Sequence, residues 1–280
     1  MTNSTIHNGR STSRQLTVLL LLSLLLLVNG CARSPWSDPV DDEQRRQQLI
    51  GEYDRYREQA AQCSPAFDGN LIVNWQTTVD SVSLSGYYQI MHPSSLRLNV
   101  TNPLGQPLVV IATAAGSFQV LHVPRQTFYA GSLRSYALRH DVPLALLSGP
   151  SFDWLTGRPI AAGARIADIS EDSAARGLWY AVVRNGKRGS VPIEHVLIDP
   201  TVGVIVERIV VDEEGEFQAR ISYTNRPELD GCAPPQTVTI TGISFWAEAQ
   251  LQFSEVQPAG LTATDFKLPV PSGYLQQIMP

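Results

Sequence analysis

Val82-Ser83-Leu84-Ser85-Gly86-Tyr87-Tyr88-Gln89-Ile90, followed shortly by Leu96-Arg97-Leu98-Asn99-Val100, is the stretch whose reading decides the fold. Val82, Leu84, Tyr88 and Ile90 share one parity, and the residues between them are mostly polar. A period of two puts successive side chains on opposite faces of a strand. The stretch therefore predicts strands with one apolar and one wet face, the usual pattern of antiparallel sheets. The same alternation returns in Phe217-Gln218-Ala219-Arg220-Ile221-Ser222-Tyr223 and from Phe245 to Phe253. Further strands are expected around 69–77, 107–112, 118–123, 165–170, 178–184, 190–198, 204–212 and 236–241, with Asn185-Gly186 and Glu214-Gly215 as hairpin turns.

Outward from these strands the period changes twice. From about Asp41 to Gln62 the chain is rich in Glu, Gln and Arg, with Leu49, Ile50, Tyr53 and Tyr56 spaced as one narrow stripe of a helix. Residues 142–157 (VPLALLSGPSFDWLTG) lack strand alternation and read as two helical turns broken at Gly149-Pro150. They gather Leu144, Leu146, Leu147, Phe152, Trp154 and Leu155, and suit either a lid over an apolar sheet face or a permanent core helix. The expected order is one helix, about five strands, the apolar insert, then a second run of strands. That is a mainly β architecture: an open, curved antiparallel sheet with a helical cover and an N-terminal helix.

The N-terminus has a different character. Arg10 and Arg14 precede an almost wholly apolar run at 16–28 (LTVLLLLSLLLLV), too short for a comfortable membrane span and suited to a secretory signal. The run ends in Val28-Asn29-Gly30-Cys31, which resembles a bacterial lipobox, with Asn29 an unusual middle residue. Residues 1–30 are thus expected to be a signal peptide, Cys31 the lipidated first residue of the mature chain, 31–42 a flexible tether and 43–280 a single domain. Of three cysteines, Cys63 and Cys232 then remain, both in loop-like contexts in a compartment where disulfides persist. They read as a bonded pair, with two free thiols as the alternative.

Composition narrows the function classes. Loss of the first 30 residues and their two arginines moves the net charge from −5 to −7, and no basic stretch is present to grip phosphates, which argues against a nucleic-acid partner. Hydrophobic residues make up 43% of the chain and charged ones 17%, enough for a sizeable core. His7, His92, His122, His140 and His195 are scattered, and no nucleophile elbow, metalloprotease helix or phosphate-binding glycine loop occurs. Glu194-His195 is an adjacent pair on an expected strand, so its two side chains point to opposite faces. Asp212, Glu213, Glu214 and Glu216 read as a solvated hairpin end. No enzymatic activity, metal or cofactor is expected beyond the lipid on Cys31.

Leu96-Arg97-Leu98-Asn99-Val100-Thr101-Asn102-Pro103-Leu104-Gly105 is similar to the LolB family of outer-membrane lipoprotein receptors, whose third and fourth strands are joined by an Asn-Pro-Leu-Gly loop. Trp154-Leu155-Thr156-Gly157-Arg158-Pro159 resembles a second stretch of that family, as does Val142-Pro143-Leu144 before it. The likeness covers about residues 43–160. Beyond 160 only the strand pattern agrees, and the chain is longer than a typical receptor of the family.

The resemblance implies an incomplete, half-open antiparallel β-barrel of the LolA/LolB kind. Its apolar concave face would be closed by helices and would bind acyl chains or lipidated proteins without catalysis. It implies a periplasmic LolA-like carrier as partner and insertion of cargo into the outer membrane. Ala32 after the lipidated cysteine, rather than Asp, fits an outer-membrane anchor facing the periplasm. Asn102, Pro103, Leu104 and Gly105 would form a membrane-insertion loop with Leu104 at its tip. Tyr88, Leu98 and Val100, with Trp154 and Leu155 of the insert, would line the lipid cavity. The reading from another class is a structural lipoprotein that holds a protein partner with the same half-barrel.

Overall fold

The computed structural model describes residues 35–140, 142, 144–160, 163–184, 193–224, 232, 234–243 and 247–279. The expected signal peptide and Cys31 lie outside these residues, as do Asn185-Gly186, Pro143 and Phe245. A long helix, α1 (Glu43–Gln62), is capped by Asp42, whose carboxylate accepts from the Arg45 N–H at 2.8 Å. It docks through Leu49 and Tyr53, both buried. Six strands follow: β2 (Ala66–Gln76), β3 (Ser81–Met91), β4 (Ser95–Thr101), β5 (Pro107–Ala114), β6 (Ser117–His122) and β7 (Thr127–Ser132). Then come three short helices, α2 (Leu133–His140), α3 (Leu144–Ser148) and α4 (Ser151–Thr156). The second run is β8 (Ala164–Asp172), β9 (Leu178–Arg184), β10 (Glu194–Asp199), β11 (Val204–Val211), β12 (Phe217–Thr224), β13 (Thr237–Thr241) and β14 (Glu248–Pro258).

Among the described residues the strands belong to one open sheet of 15 strands, in the order β1-β8-β9-β10-β11-β12-β13-β14-β2-β3-β4-β5-β6-β7-β15, where β1 is Trp36–Pro39 and β15 is Leu275–Ile278. Neighbours are antiparallel except β15, which runs parallel to β7. The two runs of strands are joined through β14 and β2, paired from Glu248↔Gln76 to Pro258↔Phe67. Register carries one parity across the sheet. Ile90, Tyr88, Leu84 and Val82 of β3 share a face with Phe67, Leu71 and Val73 of β2 and with Phe253 and Leu251 of β14. On the far side, Tyr180, Val196 and Ile221 continue that face.

Inner residues of β8 (Ile169) and β3 (Ile90) belong to one apolar cluster with Phe152 and Trp154 of α4 and Leu49 and Tyr53 of α1. Eight strand steps of about 4.8 Å would hold those strands roughly 40 Å apart in a flat sheet. Their meeting means that the sheet curls around the two helices without closing. This is the mainly β, open and curved antiparallel architecture expected from the alternation, in the half-open form that the resemblance implied.

Four features depart from the sequence reading. Trp36–Pro39, within the expected tether, forms β1 on the edge of β8: Trp36 stacks on His195 at 4.3 Å and meets Trp179 edge-on at 5.9 Å. Strand β7 and helix α2 were not expected, because Thr127–Ser132 is apolar toward both faces and shows no clean alternation. Strand β15 was also missed. Residues 259–279 fold back over the outer face of β4–β7, where Leu268 packs on Ala112 and Phe128. Arg97 donates to the Asp265 carbonyl there at 2.9 Å, and the Leu268 N–H donates to the Gln119 side-chain oxygen at 2.6 Å.

Candidate functional site

The inner face is covered unevenly. In the second run of strands, Ile169, Tyr180, Val182, Val196, Ile198, Val210, Ile221 and Val238 are all buried. In the first run Leu84 shares its face of β3 with Leu98 and Val100 of β4, which sit opposite Tyr88 and Gly86; Leu98 and Val100 pair in turn with Ile111 and Val109 of β5, and Ile111 with Val120 of β6. Leu84 and these five residues of β4–β6 are aliphatic and none is fully buried. The outer face of β4–β6 carries the C-terminal segment, so the apolar surface left open there is the inner one.

At the floor of this open stretch Tyr88 is buried and meets Phe253 edge-on at 4.9 Å. The positions flanking its ring are bare for a reason. A Cβ on Gly69 would stand 3.1 Å from the Tyr88 ring and 2.8 Å from the Ser254 carbonyl oxygen. A Cβ on Gly86 would stand 2.2 Å from the Asn99 carbonyl oxygen. Only glycine allows β3 to lie so close to β4 between Leu84 and Tyr88.

Two kinds of cover flank the stretch. Helix α2 leaves β7 with Tyr136 edge-on to Phe118 at 5.1 Å, and α3 then touches β11 and β12. The chain from β7 to α3 thus passes from one run of strands to the other.

Helix α4 is fixed in place. The indole N–H of Trp154 donates to Glu194 at 2.9 Å, and Arg208 donates to both oxygens of that carboxylate at 2.8 and 2.7 Å. Arg208 also donates to the Arg158 carbonyl at 2.6 Å and to the Tyr223 hydroxyl at 3.2 Å. Glu194 and Arg208 are both fully buried. Burial opposes the charge on Arg208, but the adjacent Glu194 carboxylate outweighs it and raises the guanidinium above its ordinary value.

Arg158, after α4, donates to the carbonyls of Ser64 and Cys232 and lies over the Phe67 and Phe152 rings at 5.1 and 5.3 Å. Burial pushes it down to about 10, against the opposing pull of Asp153. Cys63 and Cys232 form a disulfide beside this arginine, with their Cα atoms 5.2 Å apart.

The β4–β5 loop is built by Asn102. Its side-chain oxygen accepts from the N–H groups of Leu104 and Gln106 at 3.0 and 2.9 Å, and its amide donates to the Gln106 side chain at 3.0 Å. The Gly105 N–H returns to the Asn102 carbonyl at 2.9 Å, with Gly105 at φ +77°, a conformation that favours glycine. Pro103 sets the first bend. With the polar groups of the turn satisfied inside it, Leu104 is left 83% exposed.

The structure therefore puts Leu98 and Val100 on the open apolar face, Tyr88 at its floor and Leu104 at one end of it. Trp154 is elsewhere, buried against Glu194 and so not part of the open stretch, while Leu155, half-buried like Leu98, borders the main core as Leu98 does. Leu84, already placed on the apolar side of its strand by alternation, and Val109, Ile111 and Val120 complete the face; the last three were not singled out from sequence, because 108–112 (LVVIA) is apolar at both parities and does not show which side chains face inward. The Glu194-His195 pair does straddle the sheet, but nothing in sequence connected Glu194 to Arg208 and Trp154.

No protein-family model matches the chain, and no curated protein is similar to it in sequence. Among solved structures it is similar to a LolA superfamily protein from Nitrosomonas europaea at 12% identity and a TM-score of 0.52, covering 79% of this chain and 97% of that one. A domain from Vibrio parahaemolyticus named for outer membrane lipoprotein sorting aligns at 12% identity and 0.55, over 78% and 96% of the two chains. A DUF1329 family protein from Desulfovibrio piger aligns at 11% identity and 0.54, over 82% and 98%. At such identities the likeness is one of fold, and the chain has a LolA-like fold.

Proposed function

We propose that this chain is a non-enzymatic lipid- or lipoprotein-binding protein of the bacterial envelope. The carrying observation is the open inner face of β3–β6, six aliphatic side chains left half-covered while the outer face of β4–β6 is roofed by the C-terminal segment. Acyl carbons laid there gain about 0.8 kcal/mol per buried CH₂, an energy close to that of the bilayer itself, so cargo can pass either way without an external energy source. The Vibrio parahaemolyticus domain of like fold, named for outer membrane lipoprotein sorting, supports the same reading.

In its finer form, the mature chain is held by a lipid on Cys31 in the outer membrane and faces the periplasm. It accepts lipidated proteins from a LolA-like carrier and inserts them with the Leu104 loop against the membrane. Native mass spectrometry of the purified protein tests the binding step: co-purifying phospholipid or fatty acid is expected. A lipid-free protein that also fails to take up cis-parinaric acid would overturn the reading. A stoichiometric protein partner in place of lipid would favour a scaffold role. For the anchor, Cys31→Ala is expected to abolish fatty-acid labelling, and persistent labelling would refute it.

A further inference from the structure

Register places three turns at one end of the first run of strands: residues 77–80 between β2 and β3, 102–106 between β4 and β5, and 123–126 between β6 and β7. Two of them present a bare aliphatic tip. Leu104 is 83% exposed, and Val79 is 91% exposed on a turn closed by the Thr77 hydroxyl, which accepts from the Val79 and Asp80 N–H groups.

From these tips inward the inner face is apolar, with one irregularity of register between Val100 and Thr101 where β4 enters the 102–106 turn. Val82, itself exposed, leads to Leu84 along β3, while Val100 and then Leu98 run beside it on β4. The apolar stretch therefore opens to the outside between the two turns.

Charge favours one side of this end for contact with a bilayer. The 102–106 turn has no charged residue, and the adjacent β6–β7 turn exposes Arg125, which suits anionic headgroups. Asp80 turns its carboxylate back to the Ser81 N–H at 2.8 Å. Across the sheet, the β11–β12 turn carries Asp212, Glu213, Glu214 and Glu216, which such a surface repels. Two isolated protruding side chains also fall far short of the roughly 1,000 Å² that a specific protein interface buries. They suit shallow insertion among lipids.

We propose that the mouth of the apolar face lies between the β2–β3 and β4–β5 turns, and that Val79 enters the bilayer beside Leu104 while acyl chains leave along Val82, Leu84, Val100 and Leu98. The passage of acyl chains rests on the lipid-binding reading above; the seating of Val79 in lipid does not.

Two measurements on the full chain, anchored in phosphatidylethanolamine–phosphatidylglycerol vesicles, test the proposal. With Cys63 and Cys232 bonded, Val79→Cys can be labelled with the environment-sensitive fluorophore NBD. Val202→Cys, on an exposed turn at the opposite end of the strands, serves as reference. The Val79 label is expected to shift to the blue and resist aqueous iodide, and the Val202 label to do neither. A Val79 label quenched like the Val202 label would overturn the mouth. Val79→Asp should then slow transfer of cis-parinaric acid from protein to vesicles by about tenfold, the factor carried by one buried aliphatic side chain, with uptake by the protein unchanged. Transfer at the unaltered rate would overturn the exit route. If the protein takes up no cis-parinaric acid while the Val79 label is still shielded, the lipid-carrier reading fails and the bilayer contact stands.

Discussion

Asn102 is the residue on which the position of Leu104 depends, since its carboxamide closes the turn from three sides. Asn102→Ala removes those bonds from an exposed loop and is expected to cost about 1 kcal/mol in chemical denaturation, with the fold intact. Leu104→Glu touches no core residue and should fold and bind lipid normally. It should fail in delivery to liposomes, because burying Leu104 in acyl chains is worth about 1.5–3 kcal/mol and a carboxylate forfeits it. Unchanged delivery by the folded variant would remove the loop from the proposed mechanism. A harsher result is expected from Arg208→Met. It strands the Glu194 carboxylate in the core, and breaking one side of a buried ion pair costs about 3–5 kcal/mol in an unfolding titration. Replacing both partners, as in Glu194→Leu with Arg208→Met, should recover much of the loss. The loop was legible in sequence because each of its residues has a local conformational task. The ion pair was not, because its partners lie on separate strands and meet only through the β10–β11 register.

At the scale of elements, β1 alters how the chain hangs from its proposed anchor. With Trp36–Pro39 paired to β8, only five residue steps separate Cys31 from the folded sheet, about 17 Å at full extension. The strand is held by the Trp36–His195 stack and by the Ser37 hydroxyl, which donates to the Glu171 carbonyl. Trp36→Ala should free it and make the chain before α1 sensitive to limited proteolysis, while the core melts nearly unchanged. Burial lowers the His195 imidazole below its ordinary 6.5, against a smaller opposing pull from Asp168. The unfolded chain therefore takes up this proton more readily, so its contribution is whole above about pH 6.5 and declines as the pH falls. A His195→Phe variant is expected to lose that part of the acid sensitivity, measured as the unfolding midpoint between pH 7 and 5.

Across the whole molecule, two cross-links join the two runs of strands. The disulfide spans 169 residues, and closing so long a loop is worth about 5 kcal/mol in the chain-entropy account. Reduction, or Cys63→Ser with Cys232→Ser, should lower the denaturation midpoint by a corresponding amount without changing the far-ultraviolet spectrum of the native state. The second cross-link is the packing of α4 through Trp154 and Arg158. Acid should weaken the molecule a second time. Burial raises the Asp172 carboxyl, but hydrogen bonds from Arg176 and Trp179 overcome it and hold the group at about 2. Its contribution is present above pH 4 and lost as the pH falls from about 4 toward 2, a step that Asp172→Asn should remove from the acid titration.

The sequence by itself determined the local geometry of this protein. Alternation with period two specified most strands and which side chains face inward, because a strand has no other way to bury half its residues. Asn, Pro and Gly around Leu104 specified the protruding turn, and the stripe of Leu49 and Tyr53 specified the docking face of α1. Tertiary structure decided which inward face is buried and which stays open. Leu98 and Val196 look alike in sequence; Val196 lies in the main core with α1 and α4, and Leu98 only borders it. It also decided that Trp36–Pro39 is a strand, since an edge strand of four residues is stabilised by the β8 backbone and the His195 and Trp179 rings rather than by its own pattern. The same holds for Glu194, Arg208 and Trp154, whose attraction acts only across the few ångströms to which the curl of the sheet brings them.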